Sequence, residues 1–212
     1  MNIIDILLHL VDYIGIFIIN YGILTYIIVF LAVFGETGFV VMPFLPGETL
    51  LFASGAFAAI GKLNYSTLYI LFVIATILGN ITNYFIGRII GQKIIDSGKI
   101  KYLNKTNMNK AHKYINKYDA EAIVIARFIP IVRTIIPFLM GATKMNYKKF
   151  MIYSIIVGIL WVSIFFNIGY FFGNIPLIQN NFSLVILLFV VLSLLFLIIE
   201  IIIKISKKKI KR

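Results

Sequence analysis

Three long stretches of the chain carry no charged residue: Tyr13 to Gly35, Leu63 to Gly87 and Phe150 to Ile199. About 20 apolar residues in a helix cross a hydrocarbon core of roughly 30 Å, so the first two each suffice for one span. Gly173-Asn174-Ile175-Pro176 and Gln179-Asn180-Asn181 interrupt the third with turn formers. It therefore divides into two spans, and four transmembrane helices are expected at 13–35, 63–90, 148–172 and 182–203. Composition agrees: 61% of the 212 residues are hydrophobic and 13% charged, against about a quarter charged in a soluble domain. The fold class is thus an all-α integral membrane protein.

Two further apolar stretches differ in kind. Residues 36–61 and 120–142 hold Pro43, Pro46, Pro130 and Pro137, together with Glu36, Glu48, Glu121, Arg127 and Arg133. Proline removes a backbone donor and clashes with the preceding turn. Backbone groups freed at membrane depth are tolerated only inside protein or beside a wet cavity. Both stretches therefore read as re-entrant helical hairpins that return to the side they entered.

The basic residues fit that topology. Seventeen of the 20 fall between Arg88 and Lys117, between Lys144 and Lys149, and between Lys204 and Arg212. With two re-entrant hairpins, the basic loop at 91–119, the Lys144–Lys149 turn and the tail at 204–212 all face the cytoplasm, as the positive-inside rule requires. A five-span arrangement in which the first hairpin crosses also satisfies the charges. The net charge of +12 then sets topology, and no nucleic-acid partner is expected. Residues 1–12 put Asp5, His9 and Asp12 on one helical face and Ile3, Ile4, Leu7, Leu8 and Val11 on the other, the pattern of an interfacial helix. The expected location is the plasma membrane, multi-pass, with a cytoplasmic C-terminus.

An internal repeat favours treating both hairpins alike. Lys62-Leu63-Asn64-Tyr65 returns as Lys144-Met145-Asn146-Tyr147, and Ile86-Gly87-x3-Gly91 as Ile168-Gly169-x3-Gly173, both at an offset of 82. Phe44-Leu45-Pro46 returns as Phe128-Ile129-Pro130 at 84. Each unit is a hairpin followed by a spanning helix, and the two helices run in opposite senses. Inverted repeats of this kind build transporters whose sites lie at mid-membrane.

An ionisable residue inside the membrane costs about 2.5 kcal/mol or more and marks a functional site by default. Four qualify. Glu36 and Glu48 bracket the break at Pro46-Gly47, and Arg127 and Arg133 bracket Pro130. They read either as structural salt bridges or as one binding site for an anionic substrate. In the second reading arginine supplies a planar fork that stays charged when buried, while glutamate exchanges protons. Asn80, Tyr84 and Arg88 are supporting residues on the following helix. There is no cysteine and only two histidines, His9 and His112, so no metal or other cofactor is expected. No nucleophile–base constellation suggests an enzyme, and no catalytic residue is assigned.

Glu36-Thr-Gly-Phe-Val-Val-Met-Pro-Phe-Leu-Pro-Gly-Glu48 and Arg127-Phe-Ile-Pro-Ile-Val-Arg133-Thr, with Asn83-Tyr84-Phe-Ile-Gly87-Arg88-x2-Gly91, resemble the signatures of the DedA family of bacterial membrane proteins. That family shares its core with VTT-type lipid scramblases, and the likeness spans roughly residues 30–175. It departs at Asn80, where many members carry Asp. The resemblance implies lipid translocation, with undecaprenyl phosphate, the carrier lipid of wall synthesis, as the leading substrate and its recycling as the task. Arg127 and Arg133 would hold the phosphate; Glu36 and Glu48 would gate or couple to protons. Phospholipid scrambling and proton-coupled transport of a small solute are the alternatives, and a homo-oligomer is left open.

Overall fold

The computed structural model describes residues 21–39, 47–97, 122–127 and 130–175, and all regular structure among them is helical. The six helices are α1 (Ile23–Gly38), α2 (Gly47–Ala59), α3 (Tyr65–Ser97), α4 (Ala122–Arg127), α5 (Pro130–Ala142) and α6 (Tyr147–Gly173). Two segments, Tyr65–Gly91 and Tyr147–Gly173, are long and apolar enough to cross a membrane. They match the spans expected at 63–90 and 148–172. Ile70, Ile74, Leu78 and Ile89 of α3, with Ile152, Ile156 and Leu160 of α6, are exposed, a display that suits lipid rather than water.

Several boundaries differ from the sequence expectation. Glu36 belongs to α1, which continues to Gly38 because Gly35 weakens a helix without ending it and the first proline, Pro43, lies beyond. The helix expected to stop at 90 runs on to Ser97, since Gln92 to Ser97 includes neither proline nor glycine. The interfacial helix at 1–12, the span at 182–203, the tail at 204–212 and most of the 91–119 loop lie outside the described residues.

The repeated Asn is a helix cap. Asn64 Oδ1 accepts from Thr67 N and Thr67 Oγ1, both at 2.9 Å, at the start of α3. Asn146 Oδ1 accepts from Lys148 N at 2.9 Å and Lys149 N at 3.4 Å at the start of α6. Each side chain thus satisfies amides that a helix N-terminus leaves without carbonyls. The turns before them also match. Lys62 N reaches back to Phe57 O, and Met145 N to Met140 O, both at 3.0 Å. A left-handed residue closes each turn, Gly61 at φ 74° and Lys144 at φ 55°. Only the first has the glycine that this conformation favours.

The chain divides into two compact units: residues 1–27, 46–68 and 165–212 form the first, 28–45 and 69–164 the second. In the first, α2 packs on the end of α6 backbone to backbone. A Cβ on Gly169 would strike the carbonyl of Phe52, one on Gly55 the carbonyl of Phe166, and one on Gly173 would lie 2.8 Å from Ala56 Cα. Tyr65 OH donates to Asn167 Oδ1 at 2.6 Å beside this seam. In the second unit, α5 packs on α3 in the same way. A Cβ on Gly87 would strike the Phe138 carbonyl, one on Gly141 the Tyr84 carbonyl, and one on Gly91 would lie 2.7 Å from Ala142 Cβ.

These two seams are copies. Gly87, Gly91 and Tyr84 of α3 correspond to Gly169, Gly173 and Phe166 of α6 at the offset of 82. Phe138, Gly141 and Ala142 of α5 correspond to Phe52, Gly55 and Ala56 of α2 at an offset of 86. The small-residue repeat is therefore a packing motif, with each long helix seated on the arm contributed by the other repeat. Such close approach gains dispersion and interhelical polar contacts, the terms that hold helices together where lipid removes the hydrophobic drive.

Candidate functional site

The second unit gathers three of the four expected intramembrane charges, Glu36, Arg127 and Arg133. Glu36 stands in the last turn of α1 and is 1% exposed; Arg133 stands in the first turn of α5 and is 5% exposed. Pro130 opens α5, where its fixed φ suits the first helical position and no amide is needed. Arg133 Nη2 donates to Glu36 Oε1 in a buried ion pair. Removing one partner of such a pair strands the other charge and costs about 3–5 kcal/mol.

Arg127 ends α4 and is likewise buried. Its guanidinium carbon lies 4.3 Å from the Trp161 ring centroid, and that of Arg133 lies 5.7 Å from the same ring. Both distances are within cation–π range. Arg127 Nη1 also donates to Asn80 Oδ1 at 3.4 Å. One indole of α6 thus lies against two guanidiniums, one of which also holds the Glu36 carboxylate.

Asn83 sets the geometry from behind. Its Nδ2 donates to the carbonyl of Thr37 at 3.2 Å and to that of Thr134 at 2.7 Å. These are the residues following Glu36 and Arg133. Thr37 lies in the last turn of α1, whose carbonyls lack helical partners. The amide therefore ties the end of α1 to the start of α5 at the level of the ion pair. Gly79, one helical turn away, lets α1 approach: an added Cβ would lie 2.7 Å from Thr37 Cβ.

Asn83→Leu should lower stability by about 2 kcal/mol or more, since it removes two hydrogen bonds and leaves buried carbonyls short of a donor. A fall of roughly 4–8 °C in the unfolding midpoint of detergent-solubilised protein would check this. An unchanged midpoint would show that the amide ties nothing.

The remaining expected residues are placed elsewhere. Glu48 lies in the first turn of α2, in the first unit, and is half-buried; a carboxylate there suits the positive end of the helix dipole. Gly47 is the buried first residue of α2, and Pro46 lies outside the described residues. Tyr84 is wholly buried; its ring stacks on Phe150 at 4.5 Å and its hydroxyl donates to the Met145 carbonyl at 2.6 Å. Arg88 donates to the Tyr84 hydroxyl at 3.2 Å. Both residues lie on α3, with the Tyr84 ring against Phe150 of α6, and they do not join Arg127 and Arg133.

Trp161 was not among the expected site residues. Its signal was position: it is the chain's one tryptophan and sits mid-way along α6, whereas membrane tryptophans concentrate at interfaces. Among the described residues, no group of three His, Asp or Glu side chains could hold a metal ion.

Comparison with known proteins bears on this arrangement. Residues 45–171 match the model of the VTT domain. The chain is 42% identical to Protein DedA of Escherichia coli K12 over 186 residues, 87% of this chain and 85% of that protein. It is 36% identical to an uncharacterized membrane protein of Mycobacterium tuberculosis over 161 residues, 75% and 70% of the two chains. It is 32% identical to the inner membrane protein YqjA of Escherichia coli K12 over 152 residues, 72% and 69%. No solved structure matches.

Proposed function

The chain belongs to the VTT-domain family of membrane proteins that includes DedA, and from that premise we propose that it translocates an anionic lipid across the plasma membrane. The carrying observation is the pair of buried guanidiniums on one indole, Arg127 and Arg133 at Trp161, because two such forks side by side suit a ligand that brings negative charge. A phosphate monoester suits the two forks, each able to donate two parallel hydrogen bonds. Its oxygens would take the place of Glu36 on Arg133, and Glu36, released from its partner in a low-dielectric site, would accept a proton. The hydrocarbon tail would stay in lipid while the head group passes. Glu48 is proposed as a second proton-exchanging acid.

Undecaprenyl phosphate is the preferred substrate, and its return to the cytoplasmic leaflet for wall synthesis the preferred task. This reading takes four spanning helices, two re-entrant hairpins at 36–61 and 120–142, and a cytoplasmic basic tail. It assigns the protein transport rather than an enzymatic reaction.

Reconstitution in liposomes tests it. Undecaprenyl phosphate should cross at least tenfold faster than in protein-free vesicles, with phosphatidylethanolamine much slower. Equal movement of both lipids would indicate a scramblase. Movement of neither, with solute-driven proton flux in vesicles lacking polyprenyl lipid, would replace the proposal with a proton-coupled solute transporter.

A further inference from the structure

Behind the Arg127 guanidinium, α3 carries Thr76, Asn80 and Asn83 on one face at helical spacing, and each is 1% exposed or less. Ser154 of α6, fully buried, is brought to the same place. The contacts on either side of it fix the register. Phe150, one turn before, stacks on Tyr84. Gly158, one turn after, faces Thr76, whose Cγ2 would lie 3.2 Å from an added Cβ. The two helices therefore run antiparallel in four-residue steps, and Ser154 falls opposite Asn80.

Each of these four residues carries a buried polar atom without a hydrogen-bond partner among the described residues: Thr76 Oγ1, Asn80 Nδ2, Asn83 Oδ1 and Ser154 Oγ. Hydroxyls inside helices often bond back to the preceding turn, and these two do not. Buried polar groups in folded proteins are rarely left unmatched, and a cluster of four points to an occupant. Its chemistry follows from the set. Asn80 Nδ2 only donates, Asn83 Oδ1 only accepts, and the two hydroxyls do either. Arg127, which donates to Asn80 Oδ1, makes the place unfavourable for a cation.

We propose that Thr76, Asn80, Asn83 and Ser154 form a hydration site that holds structural water beside Arg127 within the membrane-spanning part of the protein. A small neutral oxygen that both donates and accepts fits all four atoms, and buried waters typically make two to four such bonds. The water would solvate the polar face of α3 next to the Asn80 amide that Arg127 reaches. The inference stands on the polar cluster alone and is independent of which lipid or solute is carried.

Two measurements on purified full-length protein in detergent test it. The first compares unfolding midpoints of Thr76→Val, Ser154→Ala and the double variant. Each single change should lower the midpoint by about 2–4 °C, and the double by less than their sum, because the two oxygens share one bound water. In a dry core, replacing an unmatched polar atom by an apolar one of the same shape is neutral or stabilising, so an unchanged or raised midpoint overturns the proposal. Ser163→Ala, which removes a side-chain bond to Tyr69 OH, calibrates the assay.

The second is X-ray radiolytic labelling in ¹⁸O-water, which oxidises rings next to bound water. Tyr84 and Phe150 should be labelled more than Phe72, which is also wholly buried, and the excess should vanish in the double variant. Labelling of Tyr84 and Phe150 no greater than that of Phe72 overturns the proposal even where a variant fails to fold.

Discussion

Arg133→Lys is expected to cut lipid transport by tenfold to a hundredfold although it keeps the charge. Arginine presents a planar fork that can grip a carboxylate or phosphate through two bonds while its face lies on an aromatic ring; lysine offers a compact ammonium with neither property. Hydrogen bonds to charged groups are worth about 1.5–3 kcal/mol, and losing one bond of a bidentate pair accounts for the expected range. Arg133 has both demands on it, since it pairs with Glu36 and lies over Trp161. The measurement is the initial rate of undecaprenyl phosphate movement per reconstituted protein. Arg127→Lys, parallel in design, loses the closer stacking on Trp161 at 4.3 Å and should also fall. If both lysine variants transport normally, the guanidinium forks do not grip the substrate.

Glu36→Gln separates binding from folding in the same assay. It strands Arg133 with a neutral partner, so folded yield should drop, in line with the several kcal/mol that breaking a buried pair costs. The Arg133→Lys variant retains an ion pair and should fold far better. A rate loss in the lysine variant at normal yield then belongs to substrate handling and not to instability.

What the sequence made legible here depended on how local the physics is. The spans at 63–90 and 148–172 were readable because hydrocarbon thickness sets helix length directly, and α3 and α6 follow them closely. The interruption at Pro130 was readable because proline chemistry acts within one turn, though that a helix begins there was not. The pattern Gly87-x3-Gly91 and its repeat marked a duplication but not the partner each helix packs on. The offset of 82 compares each long helix with the other, whereas the seams join each helix to the opposite repeat's arm. The four intramembrane charges were identifiable as a class because each is too costly to stand without a role. That Glu36 pairs with Arg133, while Glu48 falls in the other unit, depends on a fold that no local pattern encodes. The Asn83 bridge was hidden for the same reason, because its partners are carbonyls, which every residue possesses.

Gly87→Ala and Gly169→Ala should each prevent normal packing of one unit and lower the unfolding midpoint by about 5 °C or more. In both, the new Cβ falls on a backbone carbonyl, that of Phe138 or Phe52, which cannot rotate away as a side-chain tip could. Overpacking of this kind typically costs 1–3 kcal/mol and more where backbone must move. Gly35→Ala is the control: nothing lies within 4 Å of its added Cβ, and alanine is the better helix former by roughly 0.5–1 kcal/mol, so the midpoint should hold or rise. Because the two seams are copies, losses at Gly87 and Gly169 should be of similar size; a large loss at one and none at the other would show that the duplicated pattern is not used alike. Gly87→Ala carries a further consequence. Phe138 belongs to α5, which also carries Arg133, so pushing α5 away from α3 strains the Asn83 bridge to Thr134 and the seat of the ion pair. Transport per folded molecule should therefore fall along with stability, which a seam serving packing alone would leave unchanged.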